Sequence, residues 1–410
     1  MKRATFLLCL AFVSQMMMAQ TALEIMVSNP IDKERTAEPV VLALNSYTDM
    51  TVRSALVTKN GQEIPCQLDD INGDGTFDQL CFLTNLGKRE KQIFKVQLMD
   101  TGEPRMYESK VYVDMMLVNN KIKSSNKQNL YISSLTVDPG TNPYWMLHHH
   151  GPAFENELVA YRIYFDHRQT VDIYGKYRKG LELKETQFYP DEEQKSTGYG
   201  DDVLWVGNTL GCGTLRGWDG KEPQMLNDVI HRTFRIVCRG PLRTIVEVED
   251  RGWKPLPDME RVTAHSFYIL YADRRDVEVK VHFNRSMTDY TFATGLINIK
   301  NSKEYSNNKG LRGCWGTDWP VSAKDSVGHK RETVGLGIRI PMQYISNELP
   351  ATKDNYTFVL RPVVDQLNYR FTFGSDNESF GYHSAKEWFE YLREWNHLQE
   401  NPIHINTKLL

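Results

Sequence analysis

The 410-residue chain has no Cys-x-x-Cys pair, no Gly-x-Ser-x-Gly elbow, no repeat of fixed period and no low-complexity tract. The first absence removes dithiol redox chemistry and finger-type structural zinc. The second disfavours a serine esterase of the common α/β kind. Nor is there a surplus of basic charge, since 49 Lys and Arg against 52 Asp and Glu leave a formal net charge of -3. A protein that gathers a polyanion carries a basic field, so nucleic-acid binding is not expected. Beyond residue 20 no apolar run approaches the roughly 20 residues of a membrane-spanning helix.

The first twenty residues are of another kind. Lys2 and Arg3 precede an apolar run from Ala4 to Val13, and small Ala19 stands before Gln20. This is the pattern of a secretory signal, with an apolar core too short to span a bilayer. Cys9 sits behind Leu7 and Leu8 rather than behind the small residues of a lipoprotein cleavage site, so no lipid anchor is expected. The expectation is export by a Gram-negative cell to the periplasm or beyond. Five cysteines then remain, an odd number, so at least one is unpaired within the chain. Cys66 and Cys81 flank one turn and could meet across a hairpin; Cys212, Cys238 and Cys314 read as small buried hydrophobes.

What the sequence has in quantity is strand. From residue 22 to 102, short apolar runs such as Val40 to Leu44 and Ser54 to Thr58 are broken by turns, including Lys59-Asn60-Gly61, as in a small β-sandwich. Asp100 to Pro104 is polar and turn-prone, a candidate linker. From 107 to 410 the strands lengthen. In Asp276 to Asn284, Val277, Val279, Val281 and Phe283 alternate with Glu278, Lys280 and His282, as a half-buried strand requires. Such strands without helical patterns between them predict antiparallel sheets packed face to face. One helix is predicted near the C-terminus: Ser384-Ala-Lys-Glu387 is a capping box, and Trp388, Leu392, Trp395 and Leu398 follow at helical spacing before Asn401-Pro402. The fold expected is mostly β, a small N-terminal β-sandwich followed by a large antiparallel β-supersandwich with a C-terminal amphipathic helix.

Four stretches carry residues suited to chemistry. Asp70, Asn72, Asp74 and Asp78 place oxygen donors at alternate positions around Gly73 and Gly75, as in the first half of a calcium loop. The closing Glu of that motif is replaced by Cys81, so structural Ca2+ and an Asx-rich turn both fit. The densest stretch is Tyr144 to Glu157. Trp145, His148, His149, His150, Glu155 and Glu157, with Tyr161, Arg162 and Tyr164 just beyond, suit proton exchange or metal ligation on an exposed turn at Gly151-Pro152. On extended backbone His148 and His150 would share one side and His149 the other. Gly198 to Gly220 mixes glycines with Tyr199, Asp201 and Trp218, and Trp315, Trp319 and His265 have the same character. Such residues suit a sugar cleft, where aromatic faces stack and acids bind hydroxyls. They equally suit hairpin turns and core.

At His148 to Lys176, together with GYGDDVLWVG, FRIVCRGPLRTIVEVE and YADRRDVEVKVHFN, the chain resembles an uncharacterised family of secreted Bacteroidetes proteins found among polysaccharide-utilisation genes and sometimes fused to unsaturated-glucuronyl hydrolase domains. The resemblance covers most of the mature chain and implies a uronic-acid-containing, pectin-like glycan as partner. The strand order is also similar to the β-supersandwich of aldose epimerases and of many polysaccharide lyase domains, a likeness of fold alone. The leading expectation is β-elimination at a uronic acid, with His149 or His150 as base, Arg162 on the carboxylate and Tyr161 or Tyr164 protonating the leaving oxygen. Glycoside hydrolysis by Glu155 and Glu157, or glycan binding without turnover, are the alternatives.

Overall fold

The computed structural model describes residues 19–118 and 130–410, so the expected leader lies outside the described residues except for Ala19 and Gln20. The chain is mostly β, with a small sandwich, a large sandwich and one long helix. In the small sandwich a five-stranded sheet is ordered His404–Leu409, Gln20–Ser28, Lys91–Met99, Ser54–Lys59, Gln62–Ile64. Facing it are Arg35–Ala43, Gln79–Leu86 and Cys66–Asp69. Alternation drives the pairing: Leu23, Ile25 and Val27 point inward against Phe94, Val96 and Leu98. Residues 404–409, expected within the large unit, instead pair antiparallel with Gln20–Ser28, so the two ends of the described chain close the small sandwich together.

All five described cysteines are free. Gln67 pairs with Cys81 while Cys66 pairs with Phe82, which puts the two thiols on opposite faces of their hairpin. Cys66 lies in the small core, and Cys81 faces Ile245, Ile269 and Tyr271 of the large unit. Burial pushes the Cys81 thiol up to about 12, so it stays protonated. The same junction is fixed by Arg243, whose guanidinium reaches Asp69 Oδ2 at 2.7 Å with both side chains sealed from water.

The large sandwich sets a nine-stranded antiparallel sheet against two five-stranded ones. At the centre of the nine, Arg243–Trp253, Val262–Tyr271, Val277–Phe283 and Gln366–Ser375 lie side by side. Val277, Val279, Val281 and Phe283 are buried as the alternation required. They join one core with Phe154, Tyr161 and Ile173 from one covering sheet and Phe292 and Phe358 from the other.

Ala385–Glu400 is the expected helix. Ser384 Oγ accepts from the Glu387 amide at 3.3 Å, and the Glu387 carboxylate takes the His383 amide at 2.8 Å. Trp388, Leu392 and Trp395 are buried against the outer face of the nine-stranded sheet. Glycine lets the helix approach, because a Cβ at Gly335 would stand 2.5 Å from the Trp388 ring. Among the described residues no helix is long and apolar enough to cross a membrane.

Candidate functional site

The histidine segment is a turn rather than a strand, laid over the sheet of Ala153–Asn156, Ala160–Ile163 and Val171–Gly175. Asn142 opens it by accepting the Tyr144 amide at 3.0 Å. At Gly151 the turn presses onto the sheet, and a Cβ there would lie 1.8 Å from the Ile163 carbonyl oxygen. Within the turn the three imidazoles separate. His149 is 1% exposed, held by Gly151 O at Nδ1 and Asp114 Oδ1 at Nε2, both at 2.8 Å. It pins the turn to strand Val111–Asp114 and meets no solvent.

His150 has the opposite fate. Its backbone is left-handed, with φ of 68°, and its ring stacks on Tyr144 at 3.7 Å with 5° between planes. Nδ1 lies 2.9 Å from the Tyr144 carbonyl, and since a carbonyl only accepts, the ring proton sits on Nδ1. Nε2 therefore carries a lone pair, and no described residue hydrogen-bonds to it. Burial, opposed by the bond to Tyr144 and reinforced by Arg162, lowers the pKa to about 4. The imidazole is neutral at pH 7. His148 is half-buried and also depressed by burial, its ring 6.5 Å from Tyr189.

Beneath His150 lies a network on alternate strand positions. Arg162 and Asp172 are register partners on adjacent strands. Arg162 Nη2 bonds Asp172 Oδ2 at 2.6 Å and Asp202 Oδ2 at 2.7 Å, and Nη1 donates to the Tyr189 hydroxyl at 2.7 Å. The Tyr164 hydroxyl donates to Asp172 Oδ2 at 2.7 Å. Phe188 lies under the guanidinium, 4.1 Å from ring centre to Cζ. Burial and the neighbouring Asp172 push the Asp202 carboxyl up against the pull of Arg162. Arg168 pairs with Asp166 at 2.6 Å and lies over both Tyr144 and Tyr164.

Tyr144, His150, Arg162, Tyr164, Arg168 and Asp202 line a cleft of about 450 Å³ with Trp145, Tyr189 and Trp205 at its rim. Trp145 is 75% exposed, Tyr189 45% and Trp205 44%. Five aromatic rings, a neutral base and two guanidiniums, each paired to carboxylate, suit a polar, hydroxyl-rich ligand with an acidic group.

Of the residues expected from sequence, Trp145, His150 and Arg162 meet in this cleft. Tyr164, the alternative proton donor, lines it as well; the remaining expected residues do not. Glu155 is sealed with Lys176 at 2.6 Å and accepts the Glu182 and Leu183 amides, so it holds a loop. Glu157, on the bend beyond the strand, faces Lys110 and the Asp273 amide. Tyr161 is fully buried and donates to the Arg275 carbonyl at 2.6 Å. With His149 it has no route to a substrate. Tyr199 hydrogen-bonds Glu185, and Asp201 pairs with Lys195 at 2.8 Å. Trp218 stands on a different sheet beside Tyr290. Trp315 packs under the C-terminal helix, and His265 pairs with Glu247 at 2.9 Å. Trp319 lends the cleft only its carbonyl, which accepts the Trp205 amide at 2.9 Å.

In the Asp70 loop the carboxylates turn to the loop's own amides. Asp70 takes Gly73 and Gly75, Asp78 takes Ile71, and Asp74 takes Thr76. Asn72 Nδ2 occupies the point where Asp74 Oδ2 and Asp78 Oδ1 converge, at 3.1 and 3.3 Å. Among the described residues no three His, Cys, Asp or Glu side chains are grouped to hold a metal. As arranged, the loop fits an ion only if that amide gives way.

The sequence reading missed Arg168, Asp172, Tyr189, Asp202 and Trp205 as site residues. Three of them carried a signal: Asp172 opposite Arg162 is legible once the strands are registered, and Asp202 and Trp205 sat in a stretch already marked for acids and aromatics.

A family model described as "Domain of unknown function (DUF4861)" matches residues 27–405. Among solved structures, a protein in glycosyl hydrolase family 38 from Enterococcus faecalis is similar at 10% identity and a TM-score of 0.49, covering 94% of this chain and 47% of that one. An alpha-mannosidase from Enterococcus faecalis V583 is similar at 10% identity and a TM-score of 0.44, covering 94% and 46%. The chain thus spans about half the length of these structures, and at such scores the likeness assigns no activity to it. No curated protein matches the chain.

Proposed function

Because the chain belongs to the DUF4861 family, whose description assigns no reaction, we propose its function from its cleft: an exported carbohydrate-active enzyme that cleaves uronic-acid-containing, pectin-like glycans by β-elimination. The observation that carries this reading is His150, neutral, with its Nε2 lone pair unspent and its ring 6.3 Å from Tyr189 across the cleft.

The reaction removes the proton at C5 of the uronate, forms a C4=C5 double bond and breaks the C4–O bond to the next sugar. His150 Nε2 takes the proton. Arg168, already screened by Asp166, offers its remaining N–H groups to the carboxylate whose charge grows as C5 loses its proton. Tyr189 protonates the departing oxygen. Its hydroxyl accepts from Arg162, which leaves its own proton free to give, whereas the Tyr164 proton is committed to Asp172. Burial raises the Tyr189 phenol, keeping it protonated until it is needed. Arg162, bound by two carboxylates, positions Tyr189 and does not reach substrate.

Incubation with polygalacturonate and its oligomers, followed by the ultraviolet absorbance of an unsaturated product, tests the reaction. Absorbance that disappears in His150→Ala and falls at least 100-fold in Tyr189→Phe is expected. New reducing ends without absorbance would replace elimination by hydrolysis, and binding without product would leave a glycan-binding protein.

Export and calcium belong to the same proposal. Export rests on residues 1–20 and is tested by sequencing the N-terminus of the mature protein, expected at residue 20 or 21. Calcium at Asp70, Asn72, Asp74 and Asp78 rests on the spacing of their oxygens, with the Asn72 amide turned so that its oxygen replaces Nδ2. Its test is a melting temperature that rises with millimolar calcium and falls with chelator; no change in either removes the ion.

A further inference from the structure

Trp205 lines two cavities. It lines the cleft of His150 and also a second cavity of about 480 Å³, which contains Asn208, Lys300 and Asp354. Residues 318–321 run along the same divide, with Asp318 facing the second cavity and Pro320 and Val321 the first. The bond from the Trp205 amide to Trp319 O ties the two segments. Gly207 seats the indole: its backbone is left-handed, φ 50°, and a Cβ there would press on Trp205 Nε1 at 3.3 Å. The indole is 44% exposed.

Each of the two cavities lies within the roughly 300–1,000 Å³ typical of a small-ligand site. An indole that lines two such spaces can give each an aromatic surface for a sugar to stack on. The second cavity is polar, and its Lys300 makes no ion pair among the described residues, leaving an ammonium to meet an acidic group. At the other end Asn142 is shared with a third cavity of about 260 Å³ that holds Asp166, His167 and Arg232.

Resting on the glycan reading above, we propose that the cleft is the middle of a longer groove divided by Trp205, so that the ligand is an acidic oligosaccharide with successive units on opposite faces of that indole. The groove selects chain length, and Trp205 is the residue that sets it.

Calorimetric affinities for uronate oligomers of two, four and six units, measured in a His150→Ala background so that nothing is consumed, test this. Affinity is expected to rise at least tenfold from two units to six. Adding Trp205→Ala removes about 2- to 10-fold of the affinity for six units, and Trp205→Phe, which keeps a ring, restores much of it. Unchanged melting temperatures exclude misfolding. Equal affinity at every length, or a Trp205→Ala variant with the full increment, overturns the groove. Product absorbance from the wild-type protein is read separately: length dependence without product refutes elimination and leaves the groove, and product without length dependence does the reverse.

Discussion

Acidification probes the charge state of His150, on which the reaction depends. A free imidazole titrates near 6.5 and this one at about 4, so folding disfavours its protonated form. The depressed pKa contributes stability that is complete above pH 6.5 and is lost as pH falls through 4. A difference of about 2.5 units is nominally about 3 kcal/mol. The ring is only half-buried, and solvent screening reduces this to about 1–2 kcal/mol. His148 and Asp202 also have shifted pKa values, so the measurement is a difference: urea unfolding of wild type and His150→Asn at pH 7 and pH 4. Wild type is expected to lose about 1–2 kcal/mol more than the variant over that range. In turnover, kcat/KM should stay level from pH 7 to 5 and fall with a midpoint near 4, because a base must be unprotonated to act. An acid limb centred between 6 and 7, or equal losses in the two proteins, would refute the neutral, desolvated base.

Three further outcomes follow from buried pairs and close packing. Arg162→Ala strips Asp172 and Asp202 of their shared cation and should cost about 3–5 kcal/mol in urea unfolding, with a smaller loss for Asp202→Asn. Glu155→Gln leaves the Lys176 ammonium, fully buried, without its counter-ion; stability should fall by about 3 kcal/mol or more, while activity per folded molecule is retained because Glu155 does not line the cleft of His150. Gly335→Ala drives a methyl into the Trp388 ring and should cost about 1–3 kcal/mol, read as a lower melting temperature with the same activity at 25 °C.

Period-2 patterning was enough to reach the architecture, because the face of a strand is written in every second residue. Val277 to Phe283 and the capped helix at Ser384 are buried as their spacing required. The return of His404–Leu409 to the first strand was not legible: its residues are mostly exposed, and an edge strand at the rim of a small sheet leaves little apolar periodicity. For the cleft the difficulty was parity. A strand or tight turn sends neighbours to opposite sides, so the right stretch yields the wrong residue when the register is unknown. Asp201 pairs with Lys195 on the surface while Asp202, one step on, reaches Arg162; His149 is sealed while His150 opens to the cleft. Tyr161 belongs to the core and Arg162 to the site by the same rule. Composition can gather histidines, acids and rings into one segment, but the hydrogen bond that leaves Nε2 of a particular imidazole unprotonated depends on a left-handed residue at 150 and a carbonyl at 144, and neither is encoded in residue type. The chemistry therefore rests on backbone geometry that only the folded chain supplies, and a substitution that shifts this turn without touching an imidazole, such as Gly151→Ala against the Ile163 carbonyl, should abolish turnover as fully as removing His150 itself.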